Sequence, residues 1–253
     1  MAATAQPQLL DVPFRLKRGG TRGDDSPELG LEMLTYAAGF LGGDLSLFAG
    51  KSMLDLGCGN KQAEAIVKYG VPFARYVGID NALPLIEALA PQVDGRRMAF
   101  FHIDVFNQRY APNGPPLARD TRLAVGDETF DILHAFSLFS HLTRPDAEAY
   151  FHILRRHAHA GSVLIFTGFI IPEMATWRDW DPDRPLLKVH YGPRFMDDML
   201  MGAGWRVERV FTPDMALAGM VEGWDVRDVR EVISDPGDQT VVICRPTAAS
   251  GIP

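Results

Sequence analysis

The sequence predicts a single α/β domain over residues 1–253, with a mostly parallel seven-stranded sheet, an antiparallel last strand and helices on both faces. Short apolar runs alternate with stretches of helical spacing along the whole chain, which is typical of βαβ units. The first such run, Met53–Leu56, ends in a Gly-Cys-Gly turn and passes into the helix-like segment AEAIVKYG. The length of 253 residues suffices for one such domain and its core.

The composition excludes several classes of partner. The formal net charge is −7, and the basic residues cluster nowhere beyond Arg15–Arg22, which argues against nucleic acid and anionic membranes. With only Cys58 and Cys244, no disulfide framework is expected. Neither a secretion signal nor an apolar run of membrane-spanning length stands out, so we expect a cytoplasmic protein.

The elements follow one another in a regular order. Residues 1–24 are expected to form an irregular arm. The next segment, 25–43, has a Ser-Pro-Glu start and a Gly-Gly stop, so it predicts a helix that either covers the ligand edge of the sheet or simply packs on it. Further helices are predicted at 63–70, 82–89, 145–158 and 193–203. Strands are predicted at 52–56, 76–79, 97–103, 129–135, 160–167, 205–211 and 239–244.

Several connecting segments differ from these regular elements. The polar, Pro- and Gly-rich segments 107–128 and 170–192 predict insertions on the substrate side. The stretch 215–224 predicts a short apolar segment, and the stretch 226–233 predicts a strand-like segment that leads toward the last strand. They precede a turn at 235–238 that leads into the last strand.

The glycine turn and two acids predict the ligand. Gly57 and Gly59 let a ligand approach the backbone closely, and Asp80 ends the next strand, where an acid suits ribose hydroxyls. The third glycine of a dinucleotide site is missing. Asp55, just before the turn, would repel a pyrophosphate and attract an ammonium group. These features favour S-adenosylmethionine over a nicotinamide dinucleotide.

This string resembles motif I of the class I S-adenosylmethionine-dependent methyltransferases, with Asp80 as the ribose-binding acid. Lys61 departs from it, since many members have a further glycine there. The resemblance implies a Rossmann-like domain that also uses Asp104, at the end of the third strand, to accept from the adenine amino group. The less favoured alternative is that Asp104 is an exposed strand-end acid. The other expected cofactor residues are Cys58, Asn60, Asn81, Val105 and Phe136.

A narrower resemblance covers about residues 16–170. The strings LKRGG, SPELGLEMLTY, NQRYAPNG and FDILHAFSLFSHLTRPDAEAYFHILRR are similar to a bacterial group of class I methyltransferases associated with polysaccharide and glycoside pathways. The usual Lys-Pro-Gly-Gly before strand five is Ala158-His-Ala-Gly161 here. The resemblance implies a sugar hydroxyl as the acceptor.

An aliphatic hydroxyl needs a general base, and His141 is the first candidate because it follows strand four and titrates near neutral pH. Alternatively, His141 caps the next helix or bonds a backbone carbonyl. Glu173 and His190 are the reserve candidates. No zinc ligand set is present. Mg²⁺ is left open, because Asp179, Asp181 and Asp183 could ligate it or could form a solvated acidic loop.

The predicted function is therefore an O-methyltransferase that moves the methyl group of S-adenosylmethionine to a hydroxyl of a small or oligomeric sugar. The alternatives are a natural-product methyltransferase for a phenol or amine, and a non-catalytic subunit that binds S-adenosylmethionine. A nicotinamide-dependent enzyme ranks behind these. A homodimer is left open, and no metal ligand is assigned.

Overall fold

The computed structural model describes residues 9–17, 26–211 and 239–248. The described helices are α1 Ser26–Phe40, α2 Lys61–Tyr69, α3 Leu83–Leu89, α4 Arg144–Arg156 and α5 Pro193–Gly202. The described strands are β1 Ser52–Leu56, β2 Arg75–Asp80, β3 Met98–His102, β4 Phe130–Ala135, β5 Ala158–Ile170, β6 Trp177–Asp179, β7 Val189–Tyr191, β8 Trp205–Phe211 and β9 Thr240–Pro246.

The main sheet has the predicted α/β architecture. Strands β3, β2, β1, β4 and β5 lie side by side and parallel, β9 pairs antiparallel with β5, and β8 pairs antiparallel with β9. These seven strands confirm the predicted sheet and its antiparallel last strand. In the β1–β4 register, Asp55 is opposite His134, so the carboxyl ends of the central strands meet at one edge.

The sheet has two more strands than predicted. Short strands β6 and β7 form within the segment expected to be an irregular insertion, where β7 pairs parallel with Phe169 and Ile170 at the end of β5. This pairing also explains why β5 extends past the predicted end at residue 167. Helix α4 ends two residues earlier than predicted, because β5 already begins at Ala158.

Two hydrophobic cores lie on opposite faces of the sheet, as alternating side chains require. One packs α4 and α5 against residues such as Leu54, Leu133 and Phe166. The other packs α1, α2 and α3 against Met53, Ile132 and others. Since both faces are covered, the central strands β1 and β4 are buried on both sides instead of alternating between buried and exposed residues.

Helix α1 packs directly on α2. The approach is so close that a Cβ on Gly30 would lie 2.0 Å from the Lys61 carbonyl oxygen. Of the predicted arm, residues 9–17 are described, and Leu10 and Val12 are buried in the core beneath α1. The rest of the arm, and the predictions for 215–224, 226–233 and 235–238, lie outside the described residues. Within the described part of the chain, no helix is long and apolar enough to cross a membrane.

Candidate functional site

The glycine turn joins β1 to α2 in a conformation that favours glycine. Gly57 has φ +72° and Gly59 has φ +53°. The amides of Gly57 and Cys58 donate to the Ile79 carbonyl at 2.8 and 3.1 Å, which ties the turn to the end of β2. A Cβ on Gly57 would lie 3.2 Å from Leu138 Cδ1. Both the backbone angle and the close neighbour therefore select against a side chain at Gly57.

Asp80 completes this turn from the neighbouring strand. Its Oδ2 accepts from the Gly59 amide at 3.0 Å, and its Oδ1 accepts from the Ala82 amide at 2.9 Å. Because a carboxylate offers about four lone-pair sites, it retains acceptor capacity for a further group. The residue expected to bind ribose thus also holds the turn.

Asp55 has protein partners for both of its oxygens. Its Oδ2 accepts from the Tyr76 hydroxyl at 2.6 Å, and its Oδ1 is 2.7 Å from His134 Nδ1. Asp55 is only 1% exposed, and His134 is wholly buried. Burial, and then the Asp55 charge, raise the pKa of Tyr76. Because Asp55 is buried and both of its oxygens have protein partners, it would act on a ligand in the turn through its negative charge and not through a direct hydrogen bond. Sequence reasoning missed this buried cluster.

Three other predicted cofactor residues have distinct surroundings. Cys58 is buried, and this burial, followed by the charges of Asp80 and Asp55, raises its pKa, which keeps the thiol protonated. Asn60 is also buried, and its Nδ2 donates to Ser26 Oγ at 2.6 Å and to Glu64 Oε2 at 2.7 Å. The Asn60 side chain thus joins α1 to α2, whereas Asn81 remains partly exposed beside the turn.

A cavity of about 330 Å³ opens beside the ends of β2 and β3. Its wall is formed by Ile79, His102, Ile103 and Asp104 on one side and by residues 121–124 on the other. The Asp104 side chain is exposed, whereas Val105 is buried in the core. The cavity thus combines apolar side chains with polar ones, and its carboxylate could accept from an amino group on a flat heterocycle.

Ser137, just after β4, has a strained backbone angle and is hydrogen-bonded to residues of two other segments of the chain. Ser137 has φ +54°, and its amide donates to Thr167 Oγ1 at 2.8 Å. Gln239 Nε2 donates to Ser137 Oγ at 3.0 Å, and its Oε1 accepts from the Thr167 hydroxyl at 2.6 Å. Next to Ser137, the Phe136 ring lies 4.2 Å from the His134 ring. This network was not predicted, because its members come from segments far apart in the chain.

His141 lies where the two predicted insertions meet. Its Nδ1 is 2.9 Å from the Leu186 carbonyl oxygen, and its own carbonyl accepts from Asn107 Nδ2 at 3.0 Å. The Tyr110 ring meets the imidazole edge-on at 5.4 Å. Burial lowers the pKa of His141, and the Arg109 charge adds to that effect. Since a carbonyl can only accept, Nδ1 bears the proton and the neutral ring has its lone pair at Nε2.

The reserve bases lie elsewhere in the 170–192 insertion. Glu173 is exposed in the turn before β6. His190 stacks with Phe169 at 5.3 Å and Trp180 at 5.0 Å. The next residue, Tyr191, points to the opposite face of β7, where its hydroxyl donates to the Leu142 carbonyl at 2.6 Å. Tyr191, and not His190, therefore faces the segment that carries His141.

The acidic residues of the insertion bond to the protein itself. Asp179 accepts from the Leu186 amide at 2.7 Å, and Asp181 accepts from Arg184 Nε at 2.6 Å. Asp183 is exposed. Among the residues that the structure describes, no group of three or more His, Cys, Asp or Glu side chains could hold a metal ion.

The aromatic residues of the insertion separate into buried and exposed groups. Tyr191 is wholly buried and Trp177 packs against the core, whereas Trp180 is 55% exposed. The Arg178 guanidinium lies over the Trp180 ring at 5.5 Å. Trp180 is therefore the exposed tryptophan of this insertion, and it lies with His190 on the side of β6–β7 opposite Tyr191.

Comparison with known proteins identifies the fold. No family model matches the chain. Its structure is similar to an S-adenosylmethionine-dependent methyltransferase from Mesorhizobium loti, with a TM-score of 0.50, 16% identity and coverage of 78% of this chain and 92% of the other. It is also similar to the CcbJ methyltransferase from Streptomyces caelestis, with a TM-score of 0.53, 15% identity and coverage of 88% and 90%.

A third similar structure performs a different reaction. The [4+2]-cyclase SpnF matches with a TM-score of 0.52 and 16% identity, over 81% of this chain and 80% of the other. The chain therefore has the fold of the class I methyltransferases. At these identities the fold alone does not determine the reaction, so the function must be argued from the site.

Proposed function

We propose that this protein binds S-adenosylmethionine and methylates a hydroxyl group of a sugar or oligosaccharide, with His141 as the general base. The observation that carries this proposal is the proximity of two features. A glycine turn held by Asp80 is covered by Leu138, and three residues later the same segment presents a histidine whose lone pair is at Nε2.

The residues around the turn fit this cofactor. Asp80 retains acceptor capacity for ribose hydroxyls, and the cavity bounded by Ile79, Asp104 and Leu123 suits adenine. The buried charge of Asp55 would stabilise the positive amino-acid end without a direct hydrogen bond. When bound, S-adenosylmethionine supplies an electrophilic methyl group.

The environment of His141 suits a general base. Burial keeps the imidazole neutral near pH 7, and the Leu186 carbonyl orients its lone pair away from the insertion. His141 would accept the proton of the acceptor hydroxyl while that oxygen attacks. The alternative prediction was that His141 hydrogen-bonds to a backbone carbonyl, and this hydrogen bond is also observed. The two roles are compatible, because the bond uses Nδ1 and catalysis would use Nε2.

The similarity of the sequence to methyltransferases of polysaccharide and glycoside pathways supports a sugar acceptor. A phenolic natural product is the second candidate. Because a phenol is far more acidic than an alcohol, it would depend less on His141. The third candidate is a subunit that binds the cofactor without catalysing methyl transfer.

The test is transfer of radiolabelled methyl from S-adenosylmethionine to a panel of saccharides, phenols and amines, with and without Mg²⁺. His141→Gln is compared with His152→Gln, a partly exposed histidine on α4. We expect label in a saccharide, a loss of about 100-fold or more in His141→Gln, and an unchanged rate in the control. Label only in phenols or amines would contradict the sugar proposal. Cofactor binding by calorimetry without label in any acceptor would favour the non-catalytic subunit.

A further inference from the structure

The two-stranded extension β6–β7 has one side directed toward His141. Tyr191 on β7 donates its hydroxyl proton to the Leu142 carbonyl, which directly follows His141 in the chain. The same hydroxyl also lies 3.2 Å from the Phe139 carbonyl oxygen. Asp179, at the end of β6, pairs with the buried Val189 of β7 in the ladder. Tyr191 thus anchors the extension to the His141 segment.

Two hydrogen bonds connect Asp179 to the imidazole through the backbone of Leu186. Asp179 Oδ2 accepts from the Leu186 amide at 2.7 Å, and the Leu186 carbonyl oxygen lies 2.9 Å from His141 Nδ1. Leu186 has φ +57° although it is not glycine, and its side chain is buried in the core. An unfavourable backbone angle persists only where the surroundings enforce it, and the carboxylate of Asp179 is one such constraint.

We propose that Asp179 is a positioning residue for His141, acting through the backbone conformation of Leu186. By holding the Leu186 amide, the carboxylate directs the Leu186 carbonyl at Nδ1. That carbonyl selects the Nδ1–H tautomer and leaves the lone pair at Nε2. The effect on catalysis rests on the proposed function, in which Nε2 is the base, whereas the effect on the tautomer does not.

The second oxygen of Asp179 argues against a purely stabilising role. Among the described residues, Asp179 Oδ1 is buried without a hydrogen-bond donor. A buried acceptor without a donor reduces stability. The Asp179 carboxylate thus lowers the stability of the folded state at Oδ1, while its Oδ2 accepts from the Leu186 amide. Such a cost is typical of residues kept for a functional geometry.

Other groups also act on His141 and must be held constant in the test. Arg109 lowers the pKa of His141 by its charge, and Tyr110 packs against the ring. Both come from the 107–128 segment, whose Asn107 binds the His141 carbonyl. None of these three residues bonds to Nδ1. The Leu187 backbone also acts on the imidazole and moves with Leu186, so a change at Asp179 tests the Leu186–Leu187 backbone as one unit.

The test uses the full chain with ¹⁵N-labelled histidine and long-range ¹H–¹⁵N NMR, which distinguishes the two imidazole tautomers. Asp179→Ala is compared with Asp181→Ala, whose carboxylate binds Arg184 in the same insertion. Asp179→Asn is the conservative variant, because its amide oxygen can still accept from Leu186. We expect the Nδ1–H tautomer in the wild type, Asp181→Ala and Asp179→Asn, and its loss in Asp179→Ala.

In the acceptor assay, Asp179→Ala should lower kcat roughly 10- to 100-fold, as a misdirected catalytic group does, while the Kd for S-adenosylmethionine stays unchanged. An Asp179→Ala protein that keeps the Nδ1–H tautomer and the wild-type kcat would overturn the proposal. A changed tautomer with unchanged kcat would support the positioning role and would contradict His141 as the base. If Asp179→Ala does not fold, Asp179→Glu serves for the same comparison, since its longer side chain displaces the acceptor from Leu186.

Discussion

The glycine turn and the β6–β7 extension support the candidate site in contrasting ways. The turn is held by hydrogen bonds among residues 57–82, and its shape follows from two glycines and one acid. The extension reaches the site from a distant part of the chain and contacts residues 139–142 through Tyr191 and Leu186. The turn presents backbone groups to a ligand, whereas the extension orients a side chain. Changes in the turn should therefore weaken cofactor binding, and changes in the extension should reduce kcat.

The largest expected effect is at Gly57. In Gly57→Ala, the new Cβ would meet Leu138 at 3.2 Å and the residue would keep φ +72°. The backbone angle alone costs about 1–2 kcal/mol. We expect the affinity for S-adenosylmethionine to fall on the order of 100-fold, measured by isothermal titration calorimetry.

Gly70→Ala is the matched control for this substitution. Gly70 has φ +66° at the end of α2, and a Cβ there meets nothing within 4 Å. Chemical denaturation should show a similar loss of stability from the backbone angle, with unchanged cofactor affinity. Equal affinity losses in both variants would show that stability, and not the turn itself, limits binding.

A somewhat smaller effect is expected at Asp80. Asp80→Ala removes the acceptor for the Gly59 and Ala82 amides, and we expect cofactor affinity to fall about 10-fold or more. Asp94→Ala is its counterpart, because Asp94 Oδ1 accepts from the Arg96, Arg97 and Met98 amides before β3, away from the turn. Calorimetry should show normal affinity in Asp94→Ala. Normal affinity in Asp80→Ala would remove the turn from the proposed site.

Tyr191→Phe tests the extension with the loss of one oxygen. The Leu142 carbonyl would lose its buried donor, which costs about 1–3 kcal/mol in the free energy of unfolding. We expect kcat for methyl transfer to fall several-fold while the Kd for S-adenosylmethionine remains at the wild-type value. A change in Kd without a change in kcat would contradict the assignment of cofactor binding to the glycine turn and of the catalytic rate to the extension.

The smallest expected effect is a pH dependence from His141. Burial lowers its folded pKa below the ordinary 6.5, so the unfolded chain binds this proton more readily than the folded one. Stability should therefore fall as the pH drops through 6.5, and the His141 contribution should be fully present above that pH. Burial also lowers the pKa of His152 and His157, so the three histidines share this loss. Denaturation experiments between pH 5 and 8 give the free energy of unfolding at each pH. This free energy should depend less steeply on pH in His141→Gln than in the wild type. Equal slopes would contradict a lowered pKa for His141.

Much of the fold could be predicted from the sequence because its signals are local. Apolar runs and helical spacing located the main strands and helices, and the Gly57–Gly59 turn followed from residue type alone. The predictions were less accurate at the ends of β5 and α4. Pairing with β7 extends β5 to Ile170, and the pairing of Ala158 with Phe130 begins β5 where α4 was expected to continue. Strands β6 and β7 were missed because three-residue strands have no periodicity to detect.

The same distinction between local signals and long-range contacts applies to the candidate site. The sequence by itself determined the turn and the acid after β2, because glycine conformations and strand order depend on nearby residues. Only the tertiary structure decided that Asp55 is enclosed by Tyr76 and His134, that Asn60 joins two helices, and that Leu186 binds His141. These contacts join residues between 21 and 79 positions apart. Such pairs meet only after the sheet has assembled, so no local pattern encodes them.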